Sequence, residues 1–429
     1  MSELSQAPLQ EILAWQGGKL GELVRYVSQN SRFYREMLEK NGIAAGDIRQ
    51  VADLAKLPFT TKDDLAAHNE DFLCVPKNRI ADYVTTSGTL SDPVAFYLTD
   101  SDIERLAVNE AASFRLAGGG PGDIYQLMTT IDRRFMAGLA YWTGARKLGA
   151  GMVRVGPGAP FLQWESIQRF GSTVLIAIPS FIPRLLEYAE ENGIDYHAST
   201  VRSILCIGEP VRNPDFSLNE LGRRISEKWD IKLYSTYAST EMGAAFTECE
   251  AGKGGHLNPE LLILEVVDDL GQPVPDGGLG EVVVTTLGVE GMPLLRYKTG
   301  DLCHIHYSAC SGRNTPRLGP VVGRKQQMIK FKGTTLFPPA IFDVLDMVPE
   351  ITLYQVVVAA NEYGNDDLAV LLPDRLRSDP FTEKVSSLFR SKLRVTPRLE
   401  FIPEPLLRDK VYVAEKRKPE KLVSVGGRK

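Results

Sequence analysis

Cysteine, histidine and tryptophan are scarce in this sequence of 429 residues, which has five, five and four of them respectively. Five cysteines cannot form the dense disulfide framework of a small secreted scaffold. No apolar run approaches the roughly 18 residues that a membrane-spanning helix needs, and the first residues lack the basic start and apolar stretch of a signal peptide. We therefore expect a reduced, cytoplasmic protein without a membrane partner.

Positive charge is not in excess either. Lysine and arginine total 49 against 54 aspartates and glutamates, which gives a net charge of −5. Such a chain has no bulk positive field to hold nucleic acid or anionic lipid. A hydrophobic share of 43% with 24% charged residues is typical of a globular protein, and at roughly 150 residues per domain the length predicts more than one domain.

What the sequence does have is a regular alternation of short apolar runs with longer amphipathic ones. The strand-like runs cover residues 94–98, 124–128, 173–178, 203–207 and 231–234, and helical windows such as 100–116 and 181–191 separate them. This alternation predicts a mainly parallel sheet covered by helices on both faces. Residues 261–300 are rich in valine, threonine and glycine and predict antiparallel strands.

A change of composition near Gly323 divides the chain. The prediction is an α/β fold with a large N-terminal domain (residues 1–322), in which mainly parallel sheets with flanking helices are joined by antiparallel strands. A small α+β domain follows (residues 323–429), with strands at 354–360 and 368–372 and a helix at 381–393.

Four polar stretches are candidates for binding chemistry. Residues 85–93 (Thr-Thr-Ser-Gly-Thr-Leu-Ser-Asp-Pro) follow a predicted strand and offer hydroxyl and backbone N–H groups to phosphate oxygens. Residues 234–241 combine aromatic rings, hydroxyls and the carboxylate of Glu241, an oxygen ligand suited to Mg²⁺. Residues 297–301 end in Asp301, which can accept both hydroxyls of a ribose. Residues 323–333 are polar and basic. Taken singly, each stretch also fits an ordinary turn or linker.

Taken together and in this order, the four stretches resemble the motifs of the adenylate-forming superfamily of acyl-CoA synthetases, most closely the phenylacetate–CoA ligase branch. Residues 33–35, 57–65 and 208–210 (Gly-Glu-Pro) are similar to that branch in particular. The resemblance implies an ATP-dependent carboxylate–CoA ligase that forms an acyl adenylate and pyrophosphate and then a thioester, with an aryl or arylacetic acid such as phenylacetate as substrate. The alternative is a nucleotide-binding homologue that adenylates an acid without CoA transfer, or that has lost ligase activity.

The resemblance also implies roles for individual residues. Nucleotide binding falls to Ser87, Gly88, Thr89, Gly208, Glu209, Pro210, Tyr237, Ala238, Ser239, Asp301 and Arg324, while Thr240, Glu241 and Lys418 take part in adenylation and Glu241 also holds Mg²⁺. Gln326 is the implied hinge of a mobile C-terminal domain. For the catalytic lysine, Lys416 and Lys421 remain alternatives to Lys418. The implied partners are ATP, Mg²⁺, CoA as co-substrate and a small carboxylic acid, and a homodimer is left open.

Three residues depart from the superfamily pattern, among them Ser91, which stands where the superfamily usually has glycine. Asp92 stands where the superfamily usually has lysine, and Gln326 where it has aspartate. The change at Asp92 removes a positive charge from the triphosphate, at a cost of about 1–3 kcal/mol if nothing replaces it.

A metal site is predicted from spacing alone. Six residues separate Cys249 from His256, and six separate Cys303 from Cys310. Three thiolates and one imidazole complete the tetrahedral shell of a structural Zn²⁺. His304 and His306 are alternative ligands, and buried reduced cysteines without metal are the alternative interpretation.

Overall fold

The protein was analysed as a computed structural model, which describes residues 3–86, 93–331, 334–360, 366–413 and 419–425. The chain divides into two compact units, Met1–Val321 and Val322–Lys429. Within the described ranges, no helix is long and apolar enough to cross a membrane.

Unit 1 begins with three helices, and side-chain caps set the starts of the second and the third. They are α1 (Leu9–Asn30), α2 (Arg32–Lys40) and α3 (Lys62–Ala67). The hydroxyl of Ser31 accepts a hydrogen bond from the backbone N–H of Tyr34, and Thr61 forms a reciprocal capping box with Asp64. These caps satisfy N–H groups that a helix start leaves without a partner.

Strands and helices then alternate. The next elements are β1 (Asp82–Thr85), β2 (Ala95–Leu98), α4 (Asp100–Leu116), β3 (Ile124–Leu127), α5 (Met136–Leu148), β4 (Gly151–Arg154), α6 (Pro160–Phe170), β5 (Val174–Ala177), α7 (Ile182–Glu191), β6 (Ser203–Ile207), α8 (Glu220–Lys228) and β7 (Lys232–Ser239). Unit 1 continues with β8 (Ala244–Glu248), β9 (Gly255–His256), β10 (Leu262–Val267), β11 (Leu279–Thr286), β12 (Tyr297–His306) and β13 (Arg317–Leu318).

The main sheet has a parallel half and an antiparallel half. Strands β4, β3, β5, β6 and β7 lie side by side in that order and are parallel. From β7 the sheet continues antiparallel through β8, β9, β13, β12, β11 and β10. This topology confirms the predicted parallel sheet and the antiparallel strands that follow it.

Helices cover the parallel half on both faces. Leu175 and Ala177 of β5 pack in one cluster with residues of α6 and α7, whereas Val174 and Ile176 pack in another with residues of α4 and α5. Because successive side chains of a strand point to opposite faces, one short apolar strand supplies both cores. This double burial explains the continuous apolar runs of the sequence.

Unit 2 is a small α+β unit with its own core. Its elements are β14 (Gly323–Arg324), β15 (Ile329–Phe331), β16 (Thr334–Leu336), α9 (Pro338–Asp346), β17 (Gln355–Ala360), β18 (Asp366–Pro373), α10 (Asp379–Leu393), β19 (Arg398–Ile402), α11 (Glu404–Val411) and β20 (Leu422–Val425). Strands β19, β18, β17 and β20 form a sheet in that order. Phe389 of α10 and Leu345 of α9 are fully buried in the same core.

Candidate active site

The predicted nucleotide-binding residues follow the carboxyl ends of parallel strands. Gly208–Pro210 comes after β6, and Ser239–Glu241 ends β7 and begins the next turn. Strand β3 has β4 on one side and β5 on the other, so the chain changes direction across the sheet at β3. Open α/β sheets bind ligands at the carboxyl edge beside such a switch point.

The turn after β6 is held by its own acidic residue. Gly208 has φ +74°, a conformation that glycine adopts without strain. The carboxylate of Glu209 accepts hydrogen bonds of 3.1 Å from both the backbone N–H and the hydroxyl of Ser180. Since Ser180 follows β5, Glu209 ties two adjacent loops together.

The structure brings Tyr237 and Asp301 into direct contact. The Tyr237 hydroxyl donates a 2.8 Å hydrogen bond to Oδ2 of Asp301, although β7 and β12 are separated by three other strands in the sheet order. Burial, followed by the nearby carboxylate of Asp301, holds the pKa of Tyr237 well above its usual value. Tyr237 therefore acts as a neutral donor that joins the two halves of the sheet.

Thr240 and Glu241 border a small, mostly apolar cavity. Its walls include Phe96, Leu98, Leu106, Met136, Met242 and Met292. The Tyr297 hydroxyl lies 3.5 Å from Oε1 of Glu241. Asp102 and Arg105 also line the cavity, so apolar side chains there lie beside two carboxylates and one guanidinium.

Arg105 is a site residue that sequence reasoning missed. Its guanidinium is fully buried and donates to three backbone carbonyl oxygens, those of Gly243 (2.6 Å), Leu261 (2.7 Å) and Leu287 (2.7 Å). Burial lowers the pKa of Arg105 to about 10. One helical side chain thus fixes the turn after Glu241 to two other segments, and no sequence motif marks it.

The first polar stretch is described only at its ends. The backbone N–H of Thr85 donates a 3.1 Å hydrogen bond to the carbonyl oxygen of Arg134, and Thr86 pairs with Val94. Ser87, Gly88, Thr89 and Asp92 lie outside the described residues.

In unit 2, Arg324 and Gln326 are both exposed, and Gln326 lies in a short 3-10 turn, Lys325–Gln327. Lys416 and Lys418 lie outside the described residues. The ammonium of Lys421 lies over the ring of Tyr354, 5.0 Å from its centre. Lys421 is therefore engaged in packing within unit 2.

Three of the four predicted zinc ligands meet. The ligand atoms of Cys249, His256 and Cys310, here called the Cys–His cluster, all lie within 4.8 Å of one another. The two Sγ atoms are 3.8 Å apart, and His256 Nε2 is 3.3 Å from Cys249 Sγ. Two thiolates on one tetrahedral zinc, each bonded at ~2.3 Å, are separated by about 3.8 Å. The donor atoms therefore fit zinc.

The environment of His256 also suits a metal ligand. Burial, with smaller contributions from Arg313 and Arg317, lowers its pKa to about 3, so the imidazole is neutral. Its Nδ1 is buried and has no hydrogen-bond partner among the described residues. Ser311 Oγ lies 3.1 Å from Cys249 Sγ.

The expectation for Cys303 was wrong in placing it with the other three. Cys303 is fully buried in the apolar core of unit 1, together with Ile305. In β12, Ile305 and His306 point to opposite faces, and His306 shares a row with Arg317 and His256 across β13 and β9. The two-residue period of β12 therefore directs Cys303 away from the cluster.

Comparison with known proteins identifies the class. The AMP-binding enzyme family profile matches residues 24–291. Phenylacetate-coenzyme A ligase of Thermus thermophilus is 32% identical over 389 residues, covering 89% of this chain and 85% of that protein. The ligase of the same name from Escherichia coli is 28% identical, covering 79% of this chain and 77% of its own. The chain belongs to the AMP-binding enzyme family, and the resemblance to the phenylacetate–CoA ligase branch is confirmed.

Solved structures share the fold. A 2-hydroxyisobutyryl-CoA ligase in complex with R3-HIB-AMP has a TM-score of 0.85 at 23% identity, covering 98% of this chain and 91% of that one. An o-succinylbenzoate CoA synthetase from Bacillus subtilis has a TM-score of 0.60 at 17% identity, covering 81% and 69%. Together with the sequence relatives, these structures confirm the predicted fold class. The family and the sequence relatives confirm the predicted enzyme class, an ATP-dependent, AMP-forming carboxylate–CoA ligase.

Proposed function

We propose that this ligase acts on an aryl or arylacetic acid, with phenylacetate as the first candidate. The observation that carries the proposal is the apolar cavity beside Glu241, walled by Phe96, Met136 and Met292. These three side chains offer an apolar surface to a hydrophobic group, with the polar Thr240 and Glu241 at its border. The names of the Thermus thermophilus and Escherichia coli relatives support the same acid.

The proposed residue roles follow from the charges of the reaction. Adenylation brings a carboxylate to the α-phosphate of an anionic nucleotide, so the protein must align the reactants and neutralise their charge. In this proposal Asp301 binds the ribose, Tyr237 lies beside the adenine and the 208–210 turn borders it. The Tyr237–Asp301 hydrogen bond supports one shared nucleotide site. Ser87, Gly88 and Thr89 remain proposed phosphate ligands.

Magnesium is proposed at Glu241. In ATP-dependent enzymes Mg²⁺ is commonly held by one or two carboxylates together with substrate phosphates. Among the described residues, Glu241 belongs to no group of three potential metal ligands. A single carboxylate fits Mg²⁺ that arrives with ATP, where it neutralises phosphate charge.

The C-terminal unit is proposed to carry Lys418 as a point charge for the attacking carboxylate and the α-phosphate, with Arg324 near the ribose. Gln326 is the proposed hinge. Two observations support it: the division between the compact units falls just before Gln326, and Gln326 is exposed.

The test of function is acid-dependent release of pyrophosphate from ATP with a panel of arylacetic, benzoic and short fatty acids, followed by detection of the CoA thioester. We expect phenylacetate or a close aryl analogue to give the highest kcat/KM. Preference for a short fatty acid would contradict the proposed substrate class. Acyl adenylate without thioester would contradict CoA as the acceptor.

We also propose a structural zinc ion in the Cys–His cluster, in a protein that works in the reducing cytoplasm. The matching Sγ–Sγ distance supports the metal, and the five free cysteines suit such a compartment. When bound, the metal would join the segment after β8 to the loop between β12 and β13.

Metal analysis of protein purified without added metal should give close to one zinc per chain. Cys249→Ser should lower that value and the melting temperature, because the variant loses a thiolate ligand. Cys206→Ser and Cys303→Ser should keep the zinc, since both thiols are fully buried elsewhere. Wild-type protein that is stable and active without zinc would contradict the proposal.

A further inference from the structure

The loop between β3 and α5 holds two consecutive arginines in an unfavourable backbone conformation. Arg133 and Arg134 both have φ +57°. In the described part of the chain, no other pair of adjacent non-glycine residues has positive φ. L-residues with a side chain avoid this region, which glycine enters freely. Backbone strain of this kind is often retained where a side chain serves a ligand site.

The loop lies at the ligand edge of the sheet. It follows β3, the strand at which the sheet order changes direction. The Arg134 carbonyl oxygen accepts the hydrogen bond from Thr85, the last residue of β1 and the first of the polar stretch 85–93. Two residues further on, Met136 lines the cavity beside Glu241. Arg134 thus lies beside Thr85, where the polar stretch begins, and two residues before Met136 of the cavity wall.

The charges of the two neighbouring segments are complementary. Residues 85–93 contain no lysine or arginine, and their only charged residue is Asp92. Both Arg133 and Arg134 are exposed, and the Arg134 side chain has no ion pair or hydrogen bond with any described residue. A guanidinium matches the geometry of phosphate and binds it through paired hydrogen bonds.

We propose that Arg134, with Arg133 beside it, binds the β- and γ-phosphates of ATP and the pyrophosphate that leaves. The inference rests on the proposed nucleotide site and adds the cation that the 85–93 stretch lacks. A second carboxylate on the acid has similar chemistry, but the lack of any lysine or arginine in residues 85–93 favours the phosphates. Arg134 is then a binding residue for the leaving group rather than part of the acid cavity.

The test compares Arg134→Gly, Arg134→Lys and the wild type in calorimetric titrations with ATP, pyrophosphate and AMP. Arg134→Gly should lower the affinities for ATP and for pyrophosphate about ten- to a hundredfold. The affinity for AMP should stay within about twofold of the wild-type value, because AMP lacks the outer phosphates. The same variant should melt at a higher temperature, since glycine relieves the strain. Arg134→Lys should retain part of the ATP affinity.

The control is Arg115→Gly, an exposed arginine at the end of α4, which should not change the ratio of ATP to AMP affinity. Equal losses for ATP and AMP in Arg134→Gly, or no loss, would overturn the inference. An unchanged ATP affinity in Arg134→Gly, together with a KM raised only for dicarboxylic acids, would also overturn the inference. A wild-type chain that binds AMP but not ATP would also overturn it, whereas one that binds neither would overturn the proposed function itself.

Discussion

Removal of the buried Arg105 guanidinium should destabilise unit 1 and loosen the turn beside Glu241. In Arg105→Met the side chain keeps much of its apolar length but leaves the carbonyls of Gly243, Leu261 and Leu287 without their donor. At about 2 kcal/mol each, three buried, unpaired carbonyls cost about 6 kcal/mol together. Loss of the charge returns about 3 kcal/mol, because burial lowers the Arg105 pKa from 12.5 to about 10. We therefore expect a net destabilisation of about 3 kcal/mol.

The measurement is scanning calorimetry on the full chain, with ATP affinity as a second readout. For a unit as large as Met1–Val321, a loss of 3 kcal/mol lowers the melting temperature by about 4–5 °C. ATP affinity should fall too, because Gly243 lies just after Glu241. Arg115→Met, in the same helix but exposed, should change neither readout appreciably. A melting temperature of Arg105→Met within about 1 °C of the wild type would refute the reasoning.

Three further predictions, the last with a matched control variant, concern other residues of unit 1. Burial raises the Glu110 pKa from 4.5 to about 7, so the stability that this residue contributes is present below pH 4.5 and is lost as pH rises through about 7. Glu110→Gln should remove this part of the pH dependence of the melting temperature. An unchanged pH profile in the variant would contradict the prediction. Arg212→Met should destabilise the protein by about 3–5 kcal/mol in urea unfolding at pH 7, since Glu248 is left as a buried, uncompensated carboxylate. This loss of stability should shrink at low pH, and an equal loss at pH 4 would argue against this cause. Gly138→Ala should lower the melting temperature, because its Cβ would lie 2.3 Å from a backbone carbonyl oxygen. The control is Gly18→Ala in α1, whose Cβ would have no atom within 4 Å and which should raise the melting temperature slightly. Similar shifts of melting temperature in the two variants would count against steric overlap as the cause.

Local patterns of the sequence predicted the parallel half of the sheet because each of its strands is buried on both faces. The predicted run 203–207 coincides with β6, and 124–128 extends β3 by one residue. Since parallel strands end at one edge, the parallel order of β6 and β7 brings the turns after them together. The contact between Tyr237 and Asp301 depends on the order of the antiparallel strands between β7 and β12. No local sequence pattern encodes that order.

The unpredicted features have physical reasons of their own. Arg105 bonds to carbonyl oxygens 138 to 182 residues away, and a backbone acceptor has no residue type that a motif could display. The metal ligands were predicted from equal spacing in the sequence alone. Side chains of β12 alternate between two faces, and this alternation directs Cys303 into the core, away from Cys310. A two-residue period in the run 303–306, where buried Cys303 and Ile305 alternate with the two histidines, was the available signal.

The carboxylates at the ligand edge are already hydrogen-bonded by the protein itself. The pairs are Ser180 with Glu209, Tyr237 with Asp301 and Tyr297 with Glu241. A free glutamate side chain loses up to about 2 kcal/mol of rotamer entropy when it is fixed. Because these side chains become ordered during folding, that entropy loss does not recur when the nucleotide arrives. The acidic side of the proposed nucleotide site is thus preorganised, and the ordering that would accompany binding falls on the ligand and on other parts of the chain.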